Sequence, residues 1–217
     1  MSYPSHPIRV AIAYHSGSGH TARQAQAVAR GAGSVQETTV GMYNVARLTE
    51  DQWTALDDAD AIIFGAPTYM GSPSAVFKAF AEGTASRWAA NLRWKDKVAA
   101  GFTNSQNMNG DKLNTLVSFA ILAAQHGMHW VNLGLYPGWN TSTSSADDLN
   151  RIGSFLGAMA QSDGDAGPDL APPPSDLETA AELGRRVANV THQVVEGRLR
   201  QSAMVTDTVE ERIAVLR

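Results

Sequence analysis

Four short apolar runs, at residues 10–14, 61–64, 98–102 and 130–133, punctuate the first two thirds of the chain, and stretches with helical spacing separate them at 21–30, 49–56, 73–80 and 113–125. The runs do not alternate apolar with polar residues, which marks strands buried on both faces. A fifth run, at 35–40, is more polar and suits an edge strand. Strands that alternate with helices imply βαβ units, whose right-handed crossovers demand helices on both faces of one sheet. The sequence therefore predicts an α/β domain with a small, doubly wound, five-stranded parallel sheet.

Residues 136–175 are rich in Gly, Pro, Ser and Asp and end in Pro172-Pro173-Pro174 ahead of a helix expected over 176–196. A connection this long is a lid, an interface loop or a disordered segment. The helix would bury Leu177, Ala180, Ala181, Leu183, Val187, Val190 and Val194, which recur near a 3.6-residue period. The domain is expected to occupy residues 1–197, and the charged residues 198–217 form a C-terminal extension.

The 217-residue chain carries Lys+Arg 17 against Asp+Glu 21, a formal charge of −4, and no cysteine. Disulfide scaffolds, thiolate metal sites and cysteine nucleophiles are excluded. A mildly acidic chain lacks the basic face that nucleic acid or an anionic membrane requires. No apolar run approaches the roughly 20 residues of a spanning helix, and no basic start leads into a long apolar stretch, so the expected location is the cytoplasm. No metal-ligand spacing and no G-x-S-x-G elbow occurs.

Between the first strand and the first helix stands Ser16-Gly17-Ser18-Gly19-His20-Thr21. Backbone N–H groups at a helix start converge there with the hydroxyls of Ser16, Ser18 and Thr21 around a space that suits a phosphate, and the glycines allow close approach. A Walker A loop needs a Lys beside the closing Ser/Thr, and none is present. Gly17 to Ala22 satisfies a G-x-G-x-x-A dinucleotide pattern, yet so many hydroxyls favour the terminal phosphate of a mononucleotide. A receiver domain would need carboxylates where Tyr14-His15 stand. A helix cap without a ligand is the plain alternative.

Ligands of open α/β sheets sit beyond the carboxyl ends of the strands, so the loops after the third and fourth strands belong with the first. The third gives Pro67-Thr68-Tyr69-Met70-Gly71-Ser72-Pro73, a stiff backbone with free amides suited to a planar heterocycle. The fourth, Thr103-Asn104-Ser105-Gln106-Asn107-Met108-Asn109-Gly110, is almost wholly hydrogen-bonding.

The phosphate loop, Pro67-Thr68-Tyr69 with Gly71, Thr84-Ala85-Ser86-Arg87-Trp88, and Gln125-His126-Gly127-Met128 together resemble the flavodoxin-like NAD(P)H:quinone oxidoreductases of the WrbA family, over residues 8–197. The resemblance implies a flavodoxin-like sheet of order 2-1-3-4-5, FMN as cofactor, and NADH or NADPH as electron donor. It implies hydride transfer through the flavin to a quinone or similar small acceptor. It further implies a homo-oligomer, dimer or tetramer, whose flavin pockets are completed by neighbouring subunits. Carried over by position, Ser16, Ser18, Gly19, His20 and Thr21 would hold the FMN phosphate, and Pro67, Thr68, Tyr69, Met70 and Gly71 would edge the isoalloxazine. Thr103, Asn104, Ser105, Asn107 and Gly110 would contact its pyrimidine side and the ribityl chain.

Trp88 and His126 match positions that line the open side of the ring from another subunit, and are the catalytic candidates. Trp88, Tyr69 and Trp139 are candidates for an aromatic wall; packing is the plain alternative for Trp88, and an ordinary hydrogen-bonded role for His126. The chain departs from the family in the short connection at 44–58 and in its Asn-rich fourth loop. An electron carrier without nicotinamide oxidase activity, and a reductase that releases reduced flavin, are the alternatives.

Overall fold

In β3 (Ala61–Tyr69) every residue but the last is buried, and β5 (Val98–Ser105) is buried throughout. Strands of this kind belong at the centre of a parallel sheet. The computed structural model of the chain describes residues 6–215. In it β1 (Ile8–Tyr14) pairs parallel with β2 (Thr38–Asn44) on one side and β3 on the other, and β3 pairs parallel with β5. The main path runs β2-β1-β3-β5-β6, with β6 at His129–Trp130. This is the expected 2-1-3-4-5 order of a doubly wound sheet.

Two short strands add to the expected five, making seven among the described residues. β4 (Ser72–Pro73) folds back antiparallel on Thr68 and Tyr69. The fifth position of the sheet is shared: β6 pairs with Val98 and Ala99, and β7 (Ala158–Gln161) pairs with Phe102 to Ser105. The strand expected at 130–133 is therefore shorter, because after Val131 the backbone turns away and Leu133 N bonds Phe155 O at 3.0 Å. The edge strand lies at 38–44 rather than 35–40, since the amides of Ser34 and Val35 close the preceding helix.

Alternate residues of β1 enter two cores. Ile8, Val10 and Ile12 pack with Val28, Leu183 and Val187 of α1 (His20–Gly33) and α6 (Pro174–Val215). Ala11 and Ala13 pack with Leu56, Phe77 and Phe119 of α2 (Glu50–Asp58), α3 (Ala75–Gly83) and α5 (Lys112–Gln125). α1 and α6 touch backbone to backbone: a Cβ on Gly31 would lie 1.8 Å from Ala181 O, and one on Gly184 2.1 Å from Val28 O. α4 (Ala85–Ala89) follows α3 directly. α6 runs without a break past residue 197, and Arg198 bonds Asp96 O. Residues 1–5, 216 and 217, and the side chains of 204–215, lie outside the described part of the chain. No helix among the described residues is long and apolar enough to cross a membrane.

The connection before α6 is anchored. Arg151 and Asp176, with side chains 6% and 2% exposed, form a buried ion pair, and Asp176 Oδ2 also accepts the Gln161 amide at 2.8 Å. Asn150 Nδ2 donates to Ser154 O and Asn150 Oδ1 accepts from Ser154 N, both at 2.9 Å.

Candidate functional site

β1 delivers the chain to a loop at 15–19, and α1 begins where Gly19 takes a φ of 91°. An L side chain there would be strained, and its Cβ would meet Pro168 at 2.9 Å. The N-cap residue Gly19 has no side chain to cap α1 and no acid occupies its first turn, which leaves the positive end of the helix dipole facing a cavity. Ser18, His20 and Thr21 line that space. Ser16 does not: its Oγ accepts the amides of Gly19 and Ala22, each at 3.1 Å, so the hydroxyl braces the loop from within.

Beyond β3, the hairpin 67–73 forms the next wall. Tyr69 is half exposed and leans over the loop so closely that a Cβ on Gly17 would sit 2.3 Å from its hydroxyl. Met70 is fully exposed beside it. Thr68 Oγ1 lies 2.8 Å from Thr103 Oγ1 and 2.7 Å from Thr115 Oγ1, and Thr103 donates to Ala66 O at 2.7 Å. These buried threonines tie β3, β5 and α5 together beneath the wall. Thr103, wholly enclosed, is thus a support and does not line the cavity, unlike Thr68.

The loop after β5 supplies the opposite wall through Asn104, Ser105, Asn107 and Gly110, joined by Gln106 and Asp111. Ser162 Oγ donates to Asn104 Oδ1 at 3.0 Å. Residues 162–168 then cross the cavity's edge as a strap, with His20 Nε2 2.8 Å from Ala166 O. The cavity so enclosed measures about 1100 Å³. Its contents are phosphate-type donors at one end, an aromatic wall, and an amide-rich rim at the other. That arrangement fits a phosphorylated heterocycle the size of FMN.

Trp88 and His126 lie elsewhere, on a second, more apolar cavity of about 1050 Å³ between α3, α4 and α5. Ser72 and Pro73 form its near wall, so the hairpin separates it from the first. Trp88 is 55% exposed. His126 is buried, its Nε2 2.8 Å from Thr84 Oγ1, its ring 4.7 Å from that of Trp94 and its Nδ1 without a protein partner. Burial lowers its pKa from 6.5, favouring a neutral ring. Within one chain neither residue reaches the first cavity. Trp139, half exposed, lines neither.

Residues 37–137 match the family described as NADPH-dependent FMN reductase. Flavodoxin FldP of Pseudomonas aeruginosa is 46% identical over 186 residues, spanning 86% of this chain and 98% of that protein. An NAD(P)H dehydrogenase (quinone) of Archaeoglobus fulgidus is 32% identical over 207 residues, spanning 86% and 98%. The crystal structure of a flavodoxin, WrbA-like protein from Agrobacterium tumefaciens superposes with a TM-score of 0.67 at 45% identity, covering 86% of this chain and 98% of that one. The chain belongs to the WrbA-type, flavodoxin-like NAD(P)H:quinone oxidoreductase family.

For this WrbA-type chain the strap at 162–168 is the part of the cavity that sequence reasoning missed. Its signal was the density of Gly, Asp and Pro at 163–168 within a segment already expected to be a lid or interface loop. Gln106 and Asp111, which flank residues expected at the site, complete the rim.

Proposed function

We propose that this chain holds FMN in the first cavity and passes electrons from NAD(P)H to a quinone or similar small acceptor. The observation that carries the reading is the convergence of three loops from the carboxyl ends of adjacent strands on one cavity, with the start of a helix that has no acid in its first turn at one end. When bound, FMN supplies the redox chemistry, accepting hydride from the nicotinamide and reducing the acceptor in turn. The protein's part is binding and orientation. Ser18, Thr21 and the amides of His20 and Thr21 at the start of α1 receive the phosphate, while Ser16, by accepting the Gly19 and Ala22 amides, holds the loop in shape around it. His20 links the phosphate end to the strap. Pro67, Thr68, Tyr69, Met70 and Gly71 border the ring, with Thr103 holding Thr68 from below, and Asn104, Ser105, Asn107 and Gly110 meet its polar edge. Tyr69 stands where donor and acceptor rings would stack by turns.

Trp88 and His126 serve the same reaction in an oligomer, where a neighbour's flavin would meet the second cavity. The exposure of Trp88, and the place of both residues on that cavity, support the role. Residues 198–217 are taken as an extension of the FMN domain, and the cytoplasm as its location, in keeping with a chain that has no cysteine.

The carrier reading has one specific support, the name flavodoxin borne by the 46% identical relative. An anaerobic titration of the FMN-reconstituted protein with NADH and then NADPH separates the two. Prompt loss of the oxidised-flavin absorbance is expected; bound flavin that stays oxidised with both donors leaves a carrier.

A further inference from the structure

Lys112, the first residue of α5, is entirely enclosed. Its Nζ donates to Ser105 Oγ at 2.9 Å, Asn107 O at 2.7 Å and Met108 O at 2.8 Å. Every proton of an ammonium is thereby committed to one loop, whereas a neutral amine has only two to give. Ser105 and Asn107, two of the residues so held, line the first cavity. The loop needs a brace, since Gly110 and Asp111 both take left-handed backbone, at φ 55° and 54°.

The ammonium has little direct compensation. Asp176 of α6 and Arg151 of the preceding connection act on it in opposite senses, and they are paired with each other at 2.8 Å. Asp111, next to it in sequence, and Asp163 on the strap are exposed, where water screens their charge. A buried cation held by neutral dipoles is costly, and an apolar side chain of similar length would fill the space without that cost.

We propose that Lys112 is a positioning residue of the flavin site: its ammonium fixes residues 105–108 in the shape that presents Ser105 and Asn107 to the cavity, and its dehydrated charge favours a ligand that gains negative charge on reduction. The inference rests on the FMN reading. Two electrons taken up with one proton leave the reduced cofactor one unit more negative than the oxidised one. A fixed cation behind the wall stabilises that extra charge in a medium less polar than water.

Lys112→Met removes the charge and the donors, and Lys112→Gln restores donors without charge. Three quantities decide the matter: amide hydrogen exchange at 105–110 in the ligand-free protein, the Kd for FMN, and the midpoint potential of bound FMN. Lys112→Met should exchange faster at 105–108, where three donated hydrogen bonds are lost, and bind FMN about tenfold more weakly, because Ser105 and Asn107 are no longer held toward the cavity. Its midpoint potential should fall by about 30 mV, the equivalent of a tenfold weaker preference for the reduced cofactor in a two-electron couple. Lys112→Gln should regain protection but not the potential. A role in packing alone would leave the potential unchanged, and that result overturns the proposal.

If neither variant folds, the wild-type holoprotein gives the answer through the 13Cε resonance of Lys112. Burial draws its pKa down to about 8, within easy reach of titration. Linkage is reciprocal, so a cation that favours the reduced cofactor must itself bind its proton more tightly after reduction. Equal titration midpoints in the oxidised and reduced forms overturn the proposal. A wild type that binds no FMN removes the flavin reading and this inference with it, whereas one that binds FMN while the variants keep its potential removes the inference alone.

Discussion

Arg151 and Asp176 meet in a two-pronged ion pair, Nε to Oδ1 at 2.8 Å and Nη2 to Oδ2 at 2.9 Å, between the long connection and the first turn of α6. Because Asp176 also accepts the Gln161 amide, the pair sets where β7 ends and the strap over the cavity begins. Asp176→Ala leaves a guanidinium buried without its partner and should destabilise the protein by about 3–5 kcal/mol in urea unfolding. The double variant Arg151→Met with Asp176→Leu should recover much of that loss. Equal losses in the two would mean that the charges are not coupled.

The serine hydroxyls of the first loop should separate into two kinds. Ser18→Ala with Thr21→Ala removes groups that line the cavity and should weaken FMN by about 1.5–3 kcal/mol for each hydrogen bond to the phosphate that is removed. Ser16→Ala deprives the amides of Gly19 and Ala22 of their acceptor, so it should lower the stability of the ligand-free protein as well as FMN affinity. Calorimetric titration with FMN and denaturant unfolding, run on both variants, measure the difference. FMN affinity untouched in the double variant would remove the phosphate assignment.

His126 should make the fold sensitive to acid. Its folded pKa lies below 6.5, so below that pH the unfolded chain binds protons that the folded one resists. The contribution is complete above 6.5 and is lost as pH falls through the lower folded value. His15, depressed by burial in the same sense, adds to the slope. Stability measured between pH 7 and 5 should therefore fall less steeply in His126→Gln than in the wild type. Parallel curves would place the proton elsewhere.

Lys112 should act at the alkaline end. Its pKa moves from 10.5 to about 8 on folding, so between those values the unfolded chain binds more protons and stability rises with pH, by at most about 1.4 kcal/mol per unit. The gain is complete above 10.5 and is lost as pH falls to 8. Lys97, lowered in the same direction, supplies a background slope that Lys112→Met leaves in place. Denaturation of ligand-free wild type and Lys112→Met from pH 8 to 10 should give the steeper rise in the wild type.

Trp88→Ala should leave FMN affinity and subunit stability within about 0.5 kcal/mol of wild type, as for other exposed positions. Turnover with a quinone should drop. If a neighbour's Trp88 completes the pocket, a dilution series should show wild-type activity per flavin declining toward the level of the variant. Full turnover by a verified monomer would remove Trp88 from the reaction.

The central strands were legible because Ile62, Ile63 and Phe64, like Val98 and Ala99, face core on both sides and leave no polar positions to confuse the pattern. β7 was not, since Ala158-Met159-Ala160-Gln161 contains no β-branched or aromatic residue, and only pairing with β5 makes it a strand. The loops around the cavity could be found from their position after strands. What each hydroxyl does could not: Ser16 and Ser18 look alike in sequence, and one turns into the loop while the other faces the cavity. Thr68 and Thr103 differ likewise only through their places in adjacent strands. The strap escaped because it reaches the first loop through a single hydrogen bond, His20 to Ala166, between residues 146 apart.

The shared fifth position of the sheet has a consequence for how such a protein can change. β6 and β7 each pair with their own half of β5, so the exposed stretch of the chain between them, residues 139–145, can be lengthened, shortened or exchanged while both pairings, the buried Val131 and Leu133 and the Arg151–Asp176 pair persist. The loops from β1, β3 and β5 that line the first cavity stay outside that cassette. New surfaces for partners can thus be grafted at one edge of the sheet without redesigning the cavity.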